Sequence, residues 1–139
     1  MSETITGKGA CLCGAVCFTA ANVSKHVGAC HCGMCRKWGG GPLMAVHCGD
    51  DVVFGGENDA IVHYDSGEWA DRGFCKNCGS HLFYRLKHGN QYIMPVGLFE
   101  NQDEFEFNHQ VFIDKKPNFY SFANETNDMT EAEVFEKYS

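Results

Sequence analysis

Cys75-Lys-Asn-Cys78-Gly79 decides how the rest of the chain is read. Two residues between the sulfurs let both thiolates reach one tetrahedral ion, and Gly79 permits the tight turn that carries backbone N–H groups toward sulfur. Toward the N-terminus, Cys11-Leu-Cys13-Gly14 is spaced more tightly, yet a turn followed by glycine still aims both sulfurs at one metal. The two pairs complete a four-thiolate set, so Cys11, Cys13, Cys75 and Cys78 are read as ligands of a structural zinc. Such a closed site pins the first and third clusters together and stabilises a small core.

Between them lies Cys30-His-Cys32-Gly-Met-Cys35, which supplies three cysteines and no fourth once the other four are committed. Three protein ligands leave an open coordination position, the arrangement with which a zinc enzyme acts as a Lewis acid or ionises a substrate group. Cys30, Cys32 and Cys35 are therefore the candidate catalytic set. The competing reading is a second structural site, closed by His31, His47, Cys48 or Cys17. His31 stands between two ligands and is badly placed for the same ion, while Cys17 and Cys48 sit in strand-like runs where a free cysteine is usually a small core residue. A redox dithiol of Cys32 and Cys35 is a third reading, opposed by the expectation that no strand-then-helix context of the thioredoxin type surrounds them. Arg36, Lys37 and Trp38 follow directly and place positive charge and a flat apolar surface beside the cluster, so Arg36 and Lys37 are candidate substrate-binding residues for a small anionic thiol. The bland alternative is that both cations offset thiolate charge or lie in solvent. Trp69, Phe74, Phe83 and Tyr84 can line a pocket, but at strand spacing they read as core.

The 139 residues suit one domain spanning 1–139. Hydrophobic residues make up 44%, with 11 Phe and 16 Gly, which tilts the composition toward strands and turns. Short apolar runs at 15–20, 43–48, 61–64, 73–75, 82–86, 92–98 and 105–113, separated by glycine-rich breaks, predict a mainly β fold. Thr130 and Glu133 form a capping box that predicts a short C-terminal helix over 130–137. A formal charge of −7 and pI near 5.4 repel phosphate backbones, so nucleic acid is not an expected partner. The opening MSETITGKGACLCG has no apolar stretch of signal-peptide type, and no later run approaches a membrane span. The expectation is a cytoplasmic protein with no membrane partner, in which nine cysteines serve metal or redox chemistry rather than disulfides. Nothing in the sequence sets the oligomeric state.

Taken in order, Cys11-Leu-Cys13-Gly14-Ala15-Val16, then Cys30-His-Cys32-Gly-Met-Cys35-Arg36-Lys37, then Arg72-Gly-Phe74-Cys75-Lys-Asn-Cys78-Gly79-Ser80 resembles the glutathione-dependent formaldehyde-activating enzyme family, whose eukaryotic relative is centromere protein V. The likeness runs from about Gly9 to Phe122 and includes a weaker match at His109-Gln-Val-Phe-Ile-Asp-Lys-Lys-Pro117. It implies a β-tent of layered, twisted antiparallel sheets. It also implies two zinc ions per chain, a structural one on Cys11, Cys13, Cys75 and Cys78 and a catalytic one on Cys30, Cys32 and Cys35. The implied activity joins glutathione and formaldehyde as S-(hydroxymethyl)glutathione, classed in reverse as a carbon–sulfur lyase, with a small thiol and a small aldehyde as partners. Two alternatives stand beside it. One is a zinc-stapled binding module of the same fold without catalysis. The other is a zinc-containing methionine sulfoxide reductase, which needs a reactive cysteine late in the chain, and none follows Cys78.

Overall fold

The structure, a computed structural model, describes residues 4–138; residues 1–3 and 139, the ends of the expected 1–139 domain, lie outside the described residues. In chain order the elements are β1 Thr4–Ala10, β2 Val16–Ser24, β3 His26–Cys30, α1 Gly33–Gly39, β4 Leu43–Gly49, β5 Val52–Gly56, β6 Ile61–Tyr64, β7 Ala70–Cys75, β8 His81–Leu86, β9 Gln91–Pro95, β10 Glu106–Val111, β11 Asn127–Met129 and α2 Glu131–Tyr138. The mainly β expectation therefore holds. Two compact units are present, one drawn from Met1–Lys25 and Val46–Glu104, the other from His26–Ala45 and Phe105–Ser139. No helix among the described residues is long and apolar enough to cross a membrane.

The first unit carries an antiparallel sheet in the order β1-β2-β5 and an antiparallel ladder β6-β7-β8-β9. β2 shows why the sequence pattern works: Val16, Phe18 and Ala20 are buried while Cys17 and Thr19 face outward, the period-two alternation of a half-buried strand. That alternation corrects the expectation for Cys17, which is exposed rather than core, whereas Cys48 is buried as expected. An aromatic core forms where Phe18 meets Phe99 edge-on at 5.1 Å between centroids and Phe83 meets Tyr92 at 5.0 Å. Phe83 is thus core, as its strand spacing suggested, while Trp69 is among the exposed large side chains. The run at 92–98 ends as a strand at Pro95, whose missing N–H cannot extend a ladder, and Val96–Leu98 turn into a 3-10 helix.

In the second unit β3 pairs antiparallel with β4, but β10 runs parallel to both β3 and β11. Buried Val27, Ala29, Ala45 and Val134 supply its apolar interior. The capping box forms as read: the Thr130 N–H donates to Glu133 Oε1 at 2.8 Å and the Glu133 N–H to Thr130 Oγ1 at 3.3 Å, opening α2. β3 leads straight into α1, so a strand and a helix flank Cys32 and Cys35, but the following β4 pairs antiparallel with β3 rather than completing a parallel β-α-β unit. This seven-residue helix buries only Cys35 and has glycine at both ends, leaving no apolar period by which to detect it.

Candidate metal centre

The Cys11–Cys13 and Cys75–Cys78 turns converge within the first unit. Cys11 and Cys75 are buried, Cys78 is half-buried and Cys13 exposed. Cys13 Sγ lies 3.7 Å from Cys11 Sγ and 3.8 Å from Cys75 Sγ, and all four sulfurs fall within 4.8 Å of one another. A tetrahedral zinc with bonds of about 2.3 Å to sulfur requires neighbouring sulfurs about 3.8 Å apart, so the set fits a zinc ion. Each pair is closed by a left-handed glycine, Gly14 at φ 81° and Gly79 at φ 79°, whose N–H donates back to Cys11 O and Cys75 O respectively. Ser80 ties the turns together: it accepts from the Leu12 N–H at 3.0 Å and its hydroxyl lies 3.2 Å from Cys78 Sγ. That hydroxyl and the Ser80 N–H pull the Cys78 thiol down to about 5. The Ala15 N–H favours the Cys13 thiolate as well, but desolvation and hydrogen bonding with the other three thiols outweigh it and push Cys13 up to about 12. Four thiols so crowded ionise together only around a cation.

In the second unit Cys30, at the end of β3, Cys32, the N-cap of α1, and Cys35, in its first turn, bring three sulfurs within 4.8 Å of one another. Among the described residues this cluster contains no further His, Cys, Asp or Glu. The Cys32 sulfur accepts the Cys35 N–H at 3.3 Å, as a hydroxyl would at an ordinary N-cap. Hydrogen bonding with Cys32 and Cys35, then burial, drives the Cys30 thiol far above its ordinary range. A redox pair needs two sulfurs, whereas this third, co-packed one makes the set a fit for a metal that binds three thiolates. His31 does not complete it. The imidazole is fully buried, with Nδ1 2.7 Å from the Tyr120 hydroxyl and Nε2 2.8 Å from Gln110 Oε1, so both nitrogens are occupied. Burial, the largest influence, lowers its pKa, which keeps the ring neutral.

Beside α1 opens a cavity of about 360 Å³ lined by Gly33, Arg36, Lys37, Gly40, Gly41, Phe119 and Tyr120. Arg36 and Lys37 thus reach the place the sequence suggested, and no carboxylate shares the lining. The Arg36 Nε–H donates to His31 O at 2.9 Å, fixing the guanidinium along the cavity. Left-handed Gly40, φ 86°, ends the helix with its N–H donating to Arg36 O at 2.8 Å. The pocket aromatics are Phe119 and Tyr120, which sequence reasoning passed over although the family likeness extends past them. Burial raises the Tyr120 phenol, opposed by Arg36 and assisted by Cys30, which places its hydroxyl within the field of both.

Three comparisons bear on this arrangement. A family model described as glutathione-dependent formaldehyde-activating enzyme matches residues 6–115. An uncharacterized lyase of Schizosaccharomyces pombe is 38% identical over 128 residues, which span 91% of this chain and 93% of that protein. The crystal structure of a Rhodobacter sphaeroides protein shares the fold at a TM-score of 0.57 and 24% identity, covering 68% of this chain and 88% of that one. Matched over most of its length by both the family pattern and a close relative, the chain belongs to the glutathione-dependent formaldehyde-activating enzyme family.

Proposed function

We propose that this chain is a carbon–sulfur lyase that reversibly joins a small thiol, glutathione or an analogue, to formaldehyde as an S-hydroxymethyl adduct. The observation that carries the reading is a three-sulfur set with no fourth His, Cys, Asp or Glu donor among the described residues, at the start of a helix whose next residues line a basic cavity. The lyase description of the Schizosaccharomyces pombe relative supports the same class. In the joining direction the thiolate sulfur donates a pair to the carbonyl carbon, the C=O π pair moves to oxygen, and that oxygen takes up a proton. Zinc held by Cys30, Cys32 and Cys35 would supply a Lewis acid at the remaining position, ionising the thiol or polarising the aldehyde oxygen. A second zinc, held by Cys11, Cys13, Cys75 and Cys78, would have no open position and would serve the fold.

The chain's own contribution is to bind and orient. With Nε donating to His31 O, the Arg36 guanidinium keeps its terminal nitrogens for a substrate carboxylate. Lys37, exposed on the same helix, adds a point charge. Two cations with no lining carboxylate select an anionic thiol although the whole chain carries −7. The test mixes the zinc-loaded chain with glutathione and formaldehyde and follows exchange between free and hydroxymethylated thiol by NMR. Acceleration over the protein-free rate is expected, with loss in Cys32→Ser. An unchanged rate in a folded Cys32→Ser variant removes the catalytic role and leaves a zinc-stapled binding module.

A further inference from the structure

A line of hydrogen bonds crosses β11, β10 and the end of β3 and terminates at Tyr120, a residue of the cavity wall. Thr126 Oγ1 donates to Asp128 Oδ1 at 2.6 Å, and Gln110 Nε2 donates to Thr126 Oγ1 at 2.9 Å. Gln110 Oε1 then faces His31 Nε2 at 2.8 Å, and His31 Nδ1 faces the Tyr120 hydroxyl at 2.7 Å. The first three bonds are directed from the acidic end, and the fourth follows for a neutral His31, a ring buried between an amide and a phenol with no carboxylate on either nitrogen. A carboxylate only accepts, so the Thr126 proton points to Asp128 and the Thr126 oxygen must accept from the Gln110 amide. The Gln110 carbonyl is thereby turned to His31, which carries its proton on Nε2 and offers a lone pair at Nδ1. The Tyr120 O–H points into that lone pair. Its oxygen therefore has acceptor capacity left and no proton to give.

The strands hold this line in register. Gln110 stands opposite Ala29 on one side and Asp128 on the other, and the His31 N–H donates to Val111 O at 3.1 Å. Gln110 and His31 are both buried, so neither can exchange its partner for water. The Tyr120 ring packs between Phe119, at 5.3 Å, and Phe122, at 6.2 Å, under Lys116 Nζ, which limits its swing.

We propose that Tyr120 accepts a hydrogen bond from the hydroxyl of the bound adduct, and that Asp128, Thr126, Gln110 and His31 are positioning residues that keep its own proton turned away. This rests on the lyase reading above, because the hydroxyl belongs to the adduct and is absent from the free aldehyde. In the cleavage direction the C–S pair stays on sulfur, the O–H pair becomes the C=O π bond, and the hydroxyl proton passes to solvent. An acceptor on that proton favours the polarised O–H that precedes cleavage.

The experiment uses the zinc-loaded full chain labelled with ¹⁵N-histidine. Long-range ¹H–¹⁵N spectra should show His31 neutral with its proton on Nε2; a proton on Nδ1 overturns the proposal whatever the enzyme does. Tyr120→Phe keeps the ring and should slow thiol–adduct exchange by about twofold to tenfold, the worth of one neutral hydrogen bond. Thr126→Val leaves Tyr120 in place but frees the Gln110 amide to turn, so it should mix the His31 tautomers and slow exchange by a smaller factor; this variant decides should Tyr120→Phe fail to fold. A wild-type rate in Tyr120→Phe, with Cys32→Ser inactive, overturns the role of Tyr120 and leaves the lyase reading standing. No acceleration by the wild-type chain sinks both.

Discussion

Serine substitution separates the two sulfur sets by how much chain each one closes. Cys13 and Cys75 are 62 residues apart in sequence with their sulfurs 3.8 Å apart. A cross-link over a loop of that length removes about 4 kcal/mol of conformational entropy from the unfolded chain, whereas one spanning Cys30 to Cys35 removes only about 2 kcal/mol. The smaller figure shrinks further for Cys32→Ser, because residue 32 is the N-cap of α1 and serine caps as well as a thiolate does. With zinc bound, Cys75→Ser should therefore destabilise the fold by about 4 kcal/mol, a fall in Tm of about 12–16 °C for a chain of this size, and Cys32→Ser by about 2 kcal/mol or less. Urea titration of the zinc-loaded proteins measures both. Stripping zinc from the wild type with a strong chelator removes both ions and should bring its midpoint below that of zinc-loaded Cys75→Ser. A Cys75→Ser variant within about 1 kcal/mol of wild type, or a Cys32→Ser variant equally damaged, would refute the division into a staple and an open site.

Phe83 is almost wholly buried and touches Phe54 and Tyr92, so Phe83→Ala should lower the urea-unfolding free energy by about 3–5 kcal/mol without altering zinc content; a loss below about 1 kcal/mol contradicts the core described above. The pH response follows from His109, whose pKa burial lowers, helped by His26 and Lys137. Its proton binds more tightly in the unfolded chain, so stability should fall as pH drops through about 6.5, and His109→Gln should flatten that part of a plot of Tm against pH. An unchanged slope would mean that His109 does not contribute to acid lability.

What the sequence revealed about the fold followed from local chemistry. β6 matched the expected strand to the residue, and the Thr130–Glu133 box was legible because a cap is decided within four positions. Of the strands that escaped notice, β1 and β3 did so because their pattern is weak. β1 alternates glycine with threonine and lysine, and only Gly9 within it is buried. β3 is short and buried at three successive positions, which gives no alternation to see. Cys17 was misplaced for the opposite reason: a residue type that favours interiors stood on the outward register of a strongly alternating strand, and register won.

The same contrast runs through the site. Each cysteine turn was visible because thiolate spacing over two or three residues dictates which neighbours can share an ion, although joining the Cys11–Cys13 turn to the Cys75–Cys78 turn spans 62 residues. The partners of His31 act over 79 and 89 residues, and they meet it only because β10 lies parallel beside β3, bringing Gln110 up to His31, while the chain beyond β10 returns Tyr120 to the start of α1. No spacing rule links those positions. In the sequence His31 was only a badly placed candidate to close the metal site; its two occupied nitrogens and complete burial make it the link between Gln110 and Tyr120. The sulfurs within each turn are thus set by local sequence, while the line from Gln110 through His31 to Tyr120 is set by strand pairing.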